Sequence, residues 1–373
     1  MGGREGRIPR ISGRASGYCD SPGSQRDSGG WRALKSRLAP HPRYRGAASA
    51  ILQRGPPGGC GAKKGVSSQA RRGGQVSGRM VRPRTNIRPL LLTGTEKAMG
   101  IKESIGWATK TWNPVTGCWG PGGTERQPNR CPYCYAHRMA KRLRGRFGYP
   151  SDDPFAPTFH SERLLWPSGW KSPKKVFVCS MGDLFGPWIG GEVVNTVLDT
   201  ARKYNTHTYF FFTKYPKRYA AINLPDGNMF LGVTVENQGR ASERMPLLLD
   251  GSRGKRFVSI EPMLGPVNLE KIITFSEGIY VSWLDALKGK AYHPVCRPGR
   301  NGPGGVISTD KAKLNWVIIG AQTGPGAKDN APKQEWVEAL VEQVKRHGIP
   351  LFMKNNLKPY WKGELIQEWP EAC

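Results

Sequence analysis

Acidic residues are scarce: 28 Asp and Glu stand against 57 Lys and Arg in 373 residues, a formal charge of +29. That balance excludes an acidic solvating chain and points to a polyanionic partner wherever the charge lies on a folded surface. Long apolar runs are lacking too. Nothing approaches the ~18 consecutive apolar residues of a transmembrane helix, and Leu90–Leu92 is far too short. The eight cysteines have no regular spacing and follow no secretory signal, which excludes a disulfide framework and leads us to expect a reducing cytoplasm and no membrane partner.

The charge is unevenly spread. Residues 1–98 hold 20 Lys and Arg against 4 Asp and Glu and are rich in Gly, Ser and Pro, with no sustained apolar period. Such a segment buries too little surface to offset its ordering entropy, so it is expected to be a disordered basic extension. Its composition also fits a targeting segment or a nucleic-acid-binding arm. The composition turns globular at Met99, so the extension also reads as upstream sequence translated from a mis-set start, which makes 99–373 the folded domain.

Beyond Met99 one pattern recurs. Lys175-VFVCSMGD, His207-TYFFFTK, Met229-FLGVTVEN, Arg256-FVSIEP, Asn315-WVIIGAQ and Ile349-PLFMKNN are short, nearly continuous apolar runs closed by polar residues. Strands covered on both faces require that composition. Between them, Glu192-VVNTVLDTARKY and Lys333-QEWVEALVEQVKRHG carry apolar residues at helical spacing. Alternating strands and helices predict a partial (β/α) barrel of six or seven units, with a doubly wound open sheet as the other closure. In either, chemistry sits at the carboxyl ends of the strands, where this chain places Asp183, Lys214, Glu236, Asn237, Glu261, Gln322 and Lys354. Residues 275–310, rich in Gly, Pro and basic residues, read as a surface insertion or lid in which His293 and Cys296 are incidental.

Cys118, Cys131 and Cys134 form the densest chemical signal, the last two as Cys-Pro-Tyr-Cys. A structural zinc site wants four ligands, and His137 is the available fourth. A redox dithiol of the glutaredoxin kind would need its own thioredoxin-like domain. Three thiolates suit a [4Fe–4S] cluster with one iron left open, as four would close it. Gly117, Gly120, Gly122 and Gly123 would let backbone approach such a cluster.

Thr111-WNPVTGC, Cys131-PYCYA, Val178-CSMGDLF, Phe212-TKYPKR, Leu231-GVTVENQ, Glu243-RMPLLL, Phe257-VSIEPMLGPV and Trp316-VIIGAQTGPGA together resemble the phage Gp37/Gp68 family (DUF5131), a domain of unknown function related to radical S-adenosylmethionine enzymes. The resemblance runs from about Ile105 to the C-terminus, outside the 275–310 insertion. It implies a barrel of the radical S-adenosylmethionine type, with a [4Fe–4S] cluster on Cys118, Cys131 and Cys134 and S-adenosyl-L-methionine on the open iron, fed by a one-electron donor. Cleavage of that cofactor would give a 5′-deoxyadenosyl radical that takes a substrate hydrogen. Such enzymes usually space their ligands Cys-x3-Cys-x2-Cys, whereas twelve residues separate Cys118 from Cys131 here. The resemblance further implies that Met181, Gly182 and Asp183 meet the cofactor's amino group, that Glu236 and Asn237 meet its ribose, and that Glu261 and Gln322 hold cofactor or substrate. Basic residues with interleaved aromatics in Ala136-HRMAKRLRGRFG and Lys214-YPKRY suit a nucleic acid or nucleotide substrate, with a partner protein as another target. The competing class is a non-catalytic, zinc-stabilised basic α/β module that binds nucleic acid.

Overall fold

The computed structural model describes residues 105–222, 227–251, 254–275, 281–296 and 303–371. The expectations for residues 1–98 lie outside these. All six apolar runs form strands, at β4 (Lys175–Val178), β5 (Thr208–Thr213), β6 (Met229–Thr234), β7 (Lys255–Ile260), β12 (Trp316–Ile319) and β13 (Leu351–Met353). A seventh, β1 (Lys110–Trp112), precedes them. They pair in the order β1-β4-β5-β6-β7-β12-β13, every pair parallel, in one curled half-barrel sheet.

Because successive side chains point to opposite faces, each strand divides its residues between two cores. Val176 and Val178, Leu231 and Val233, Val258 and Ile260, Val317 and Ile319, and Leu351 and Met353 face outward into an aliphatic layer. Helices α2 (Gly191–Lys203), α3 (Gln238–Gly251) and α4 (Gln334–Arg346) contribute to the same layer. The alternate residues Phe177, Phe210, Phe230, Phe257, Trp316 and Phe352 face the concave side, where Trp107 completes an aromatic pile. Trp107 lies 5.1 Å from Phe177, 5.5 Å from Phe210 and 5.8 Å from Trp316 between ring centroids. Gly232 makes room for it, since a Cβ there would come 2.6 Å from the Phe257 ring.

The insertion is more regular than its composition suggests. β8 (Ile272–Phe275), β9 (Val281–Asp285), β10 (Lys290–Cys296) and β11 (Pro303–Asp310) form an antiparallel sheet in the order β11-β10-β9-β8, in place of the loop expected over 275–310. Pro294 is tolerated because β10 pairs with β9 only over Lys290–Tyr292, so proline falls where that ladder has ended. His293 shares a hydrogen bond with Ser282 at 2.9 Å inside this sheet. Among the described residues no helix is long and apolar enough to cross a membrane.

The cysteine segment lies between β1 and β4. A two-stranded ribbon, β2 (Val115–Thr116) against β3 (Thr158–Phe159), brackets it, and α1 (Tyr135–Arg142) starts directly after Cys134.

Candidate functional site

A cavity of about 370 Å³ opens at the carboxyl end of the parallel strands. Cys118, Cys131 and Cys134 line it together with Met181, Gly182, Asp183, Lys214, Glu261, Gln322 and Lys354, so ten of the twelve cysteines and rim residues singled out from sequence share one cavity. Glu236 and Asn237 do not.

Local structure explains the gathering. Gly117 and Gly182 form a parallel bridge, with the Gly117 N–H donating to Met181 O at 2.8 Å, which extends the β1–β4 pairing past the strand ends. Cys118 is thereby held beside Met181-Gly182-Asp183. Cys134 is the N-cap of α1, its Sγ accepting the His137 N–H at 3.3 Å, while Cys118 Sγ accepts the Gly120 N–H at 3.2 Å. Burial pushes the Cys118 thiol well above its usual range, and the Asp183 carboxylate adds to this. Burial also raises Cys134, partly offset by the helix N–H groups. As they stand these are neutral thiols, which a bound metal would deprotonate.

Among the described residues, no three His, Cys, Asp or Glu side chains converge to hold one metal ion. His137 is engaged elsewhere, its ring 5.4 Å from Phe155. Gly117 and Gly120 serve the loop itself. A Cβ on Gly117 would come 2.2 Å from Ala156 O and one on Gly120 would come 1.9 Å from Asn129 O, so these two admit neighbouring backbone, whereas a Cβ on Gly122 would meet nothing within 4 Å.

Asp183 is buried with its carboxylate already engaged, by Thr213 Oγ1 at 2.6 Å and by the N–H groups of Lys214 and Phe185 at 3.1 Å each. Burial raises its pKa in spite of these donors. It fixes the turn after β4. Glu236, at the end of β6, bonds Lys214 Nζ at 3.0 Å and Arg244 Nη1 at 2.9 Å, and also accepts the Tyr133 hydroxyl. Burial alone would raise this carboxyl, but Lys214 and Arg244 outweigh it and hold the pKa below the usual range. Glu236 therefore ties the Cys131–Cys134 segment to the barrel. Asn237 caps α3, accepting the Arg240 N–H at 3.1 Å. Glu261 and Lys354 form an ion pair on the cavity wall, each about a quarter exposed. Gln322 donates to Pro325 O at 2.8 Å and leaves its buried Oε1 without a partner.

Several contributors were not singled out from sequence. Asn113 Oδ1 accepts from Ser180 Oγ and the Met181 N–H, positioning the segment after β4. Arg244 lies within α3, and its partner Glu236 is eight residues upstream, a spacing with no local signal. Cys179 is a fourth thiol on the cavity wall, buried, pushed up to about 12 by burial, and in the left-handed region at φ 57°. Its signal was available, since it belongs to the strand-end run Val178-CSMGD. The segment after β5 is consumed internally: Lys214 pairs with Glu236, Tyr215 donates to Gly120 O, and Arg218 donates to the carbonyls of Gly186 and Ile189.

Fold and site together define an α/β half-barrel protein with a cysteine-lined cavity at the carboxyl rim of its sheet. The chain belongs to the DUF5131 family, proteins of unknown function, which it matches over residues 102–363. No curated protein and no solved structure matches it.

Proposed function

We propose that the protein is an iron–sulfur enzyme of the radical S-adenosylmethionine type, in keeping with its similarity to the phage Gp37/Gp68 family. The observation that carries this reading is the placement of Cys118, Cys131 and Cys134 in the lining of one cavity with Met181-Gly182-Asp183 at the carboxyl rim of a parallel half-barrel. Three thiols in the lining of one cavity suit a cluster held at three corners, and the N–H groups aimed at Cys118 and Cys134 would stabilise their thiolates. When bound, such a cluster and S-adenosylmethionine supply one-electron chemistry that removes a hydrogen atom from substrate.

The chain's own residues supply position and dryness. Trp107, Phe177 and Phe212 give the cavity of the thiols an apolar lining, which would limit water around a bound ligand. Gln322 Oε1 is the buried acceptor open to a ligand N–H. Lys354 would meet a ligand carboxylate and Glu261 a ligand ammonium, each exchanging its present partner for the ligand. Asp183 acts one step back, holding the turn whose backbone faces the cavity.

The test is EPR of the full chain, reconstituted anaerobically with iron and sulfide and then reduced. The expected result is a reduced [4Fe–4S] signal that changes on adding S-adenosylmethionine and is lost in Cys131→Ala. Stoichiometric zinc in protein isolated from cells, with no reconstitutable cluster, would overturn the proposal in favour of a zinc-stabilised binding module.

A further inference from the structure

One exposed surface concentrates cations more than the others. From Arg138 to Arg146 the chain carries five Lys and Arg and no acid. Lys141, Arg142, Arg144 and Arg146 are exposed, and among the described residues none of the four is in an ion pair. Arg144 and Arg146 donate only to the backbone carbonyls of Ser151, Asp152 and Arg142. On the other helices Arg202 pairs with Asp199, Arg240 with Glu243 and Arg346 with Glu270, and the exposed Lys203 and Lys345, which are in no ion pair among the described residues, stand singly beside these pairs where α1 and its continuation carry four such cations in six residues. Helix-dipole complementarity accounts for Lys141 and Arg142 in the last turn of α1 but not for Arg144 and Arg146 beyond it.

Aromatic faces accompany this charge. Tyr135 is 44% exposed at the cavity wall while its hydroxyl is tucked against Ser180 O at 2.5 Å, so the ring is anchored at its tip and partly open to solvent. Phe147 is 38% exposed and sits at φ 52°, a strained conformation held by the buried Arg163, which donates to its carbonyl at 2.5 Å. The helix starts at the cavity, which Tyr135, Ala136 and Met139 line, and carries Arg142 about 10 Å along its axis from Tyr135. A strip of unpaired cations thus leads outward from an aromatic ring at a recessed cavity.

We infer that the substrate is a nucleotide within a single-stranded nucleic acid, its phosphates on Lys141, Arg142, Arg144 and Arg146 and one base stacked on Tyr135 at the mouth of the cavity. A single strand is favoured over a duplex because paired bases offer no free face to Tyr135 and cannot enter a recess between strand ends. A membrane surface is disfavoured because α1 has no exposed aliphatic face: Ala136 and Ala140 are buried against the protein and Met139 is half-buried at the cavity. The chemistry performed on that nucleotide rests on the radical reading; the interface does not.

The test measures binding of a labelled single-stranded oligothymidylate to the full chain by fluorescence anisotropy across a salt series. Because residues 1–98 are themselves basic, the comparison is between variants that all retain them. Lys141→Glu/Arg142→Glu is expected to weaken binding at least about tenfold and to lower the log–log salt slope by about 0.7 per contact removed. Tyr135→Leu is expected to weaken binding by about tenfold with the slope unchanged, as loss of stacking requires. Lys345→Glu, on α4, should change affinity less than about twofold. Equal losses from Lys141→Glu/Arg142→Glu and Lys345→Glu, or tighter binding to duplex or to anionic vesicles, would overturn the inference. The two proposals fail separately: loss of the patch effect with an intact cluster signal removes this interface alone, whereas patch-dependent binding without any cluster removes the radical reading alone.

Discussion

The concave interior of the half-barrel and its carboxyl rim are built from the same strands and have opposite chemistry. Inside, Phe177, Phe210, Phe230, Phe257, Trp316 and Phe352 touch one another and carry no charge. A few residues further along, those strands end in or lead to Asp183, Lys214, Glu236, Glu261 and Lys354, among which lie the cysteines. Parallel strands bury both faces along their length and release the chain only at their ends, so polar groups concentrate where the backbone turns. Stability should therefore reside in the interior, and sensitivity to charge and pH at the rim.

The strongest way to break this contrast is to cut the interior. Phe257 lies 5.9 Å from Phe210, Phe212 and Trp316 between ring centroids and is fully buried. Phe257→Ala should cost about 4 kcal/mol by guanidinium unfolding, the sum of lost transfer energy and a residual cavity. Alkylation rates of Cys118, Cys131 and Cys134 in the folded protein should stay unchanged. A comparable rise in thiol reactivity would show that the interior and the rim are not separable.

At the rim the corresponding cut is Glu236→Ala. It strands the buried Arg244 and the largely buried Lys214 without their carboxylate and takes the acceptor from Tyr133. Breaking a buried pair from one side costs about 3 kcal/mol. Here the loss should also loosen Cys131 and Cys134, seen as faster alkylation under native conditions, and Glu236→Gln should recover part of both effects. An equal loss of stability with no change at the thiols would reduce Glu236 to a purely structural ion.

These two positions also mark what the sequence made legible. Phe257 stands in an apolar run whose length and alternation announce a covered strand, and all six such runs became strands of the sheet. β1 was harder to see because only three of its residues pair. The insertion hid its sheet because Pro294 and Pro303–Gly305 are carried within β10 and β11, at the end of their ladder where its register shifts, so that residues which usually mark a loop sit inside strands. At the site the cysteines and the Met181–Asp183 segment were legible because each lies in a short local motif. Glu236 was placed at a strand end by its sequence position, but its ties to Tyr133, 103 residues away, and to Lys214 exist only after folding. Sequence position marked it as a group facing a ligand; the fold uses its oxygens to hold the cysteine segment.

The smallest effect concerns a brace behind the rim. His160 is buried, shares a 2.8 Å hydrogen bond with Thr116 and lies in a network with Arg163 and Glu162. Burial, with the Arg163 charge adding to it and Glu162 opposing, lowers its pKa to about 4. An unfolded histidine titrates near 6.5, so as pH falls the unfolded chain takes up the proton first. The stability tied to neutral His160 is complete above that unfolded value and drains away as pH falls toward 4. Between pH 7 and pH 5 the loss amounts to about 2 kcal/mol. Urea midpoints across this range should fall for the native sequence and fall less for His160→Gln, whereas Phe257→Ala should shift every midpoint down without changing the slope against pH. If His160→Gln keeps the full acid dependence, the proton enters elsewhere, and the brace between the β2–β3 ribbon and Arg163 does not set the acid sensitivity of the fold.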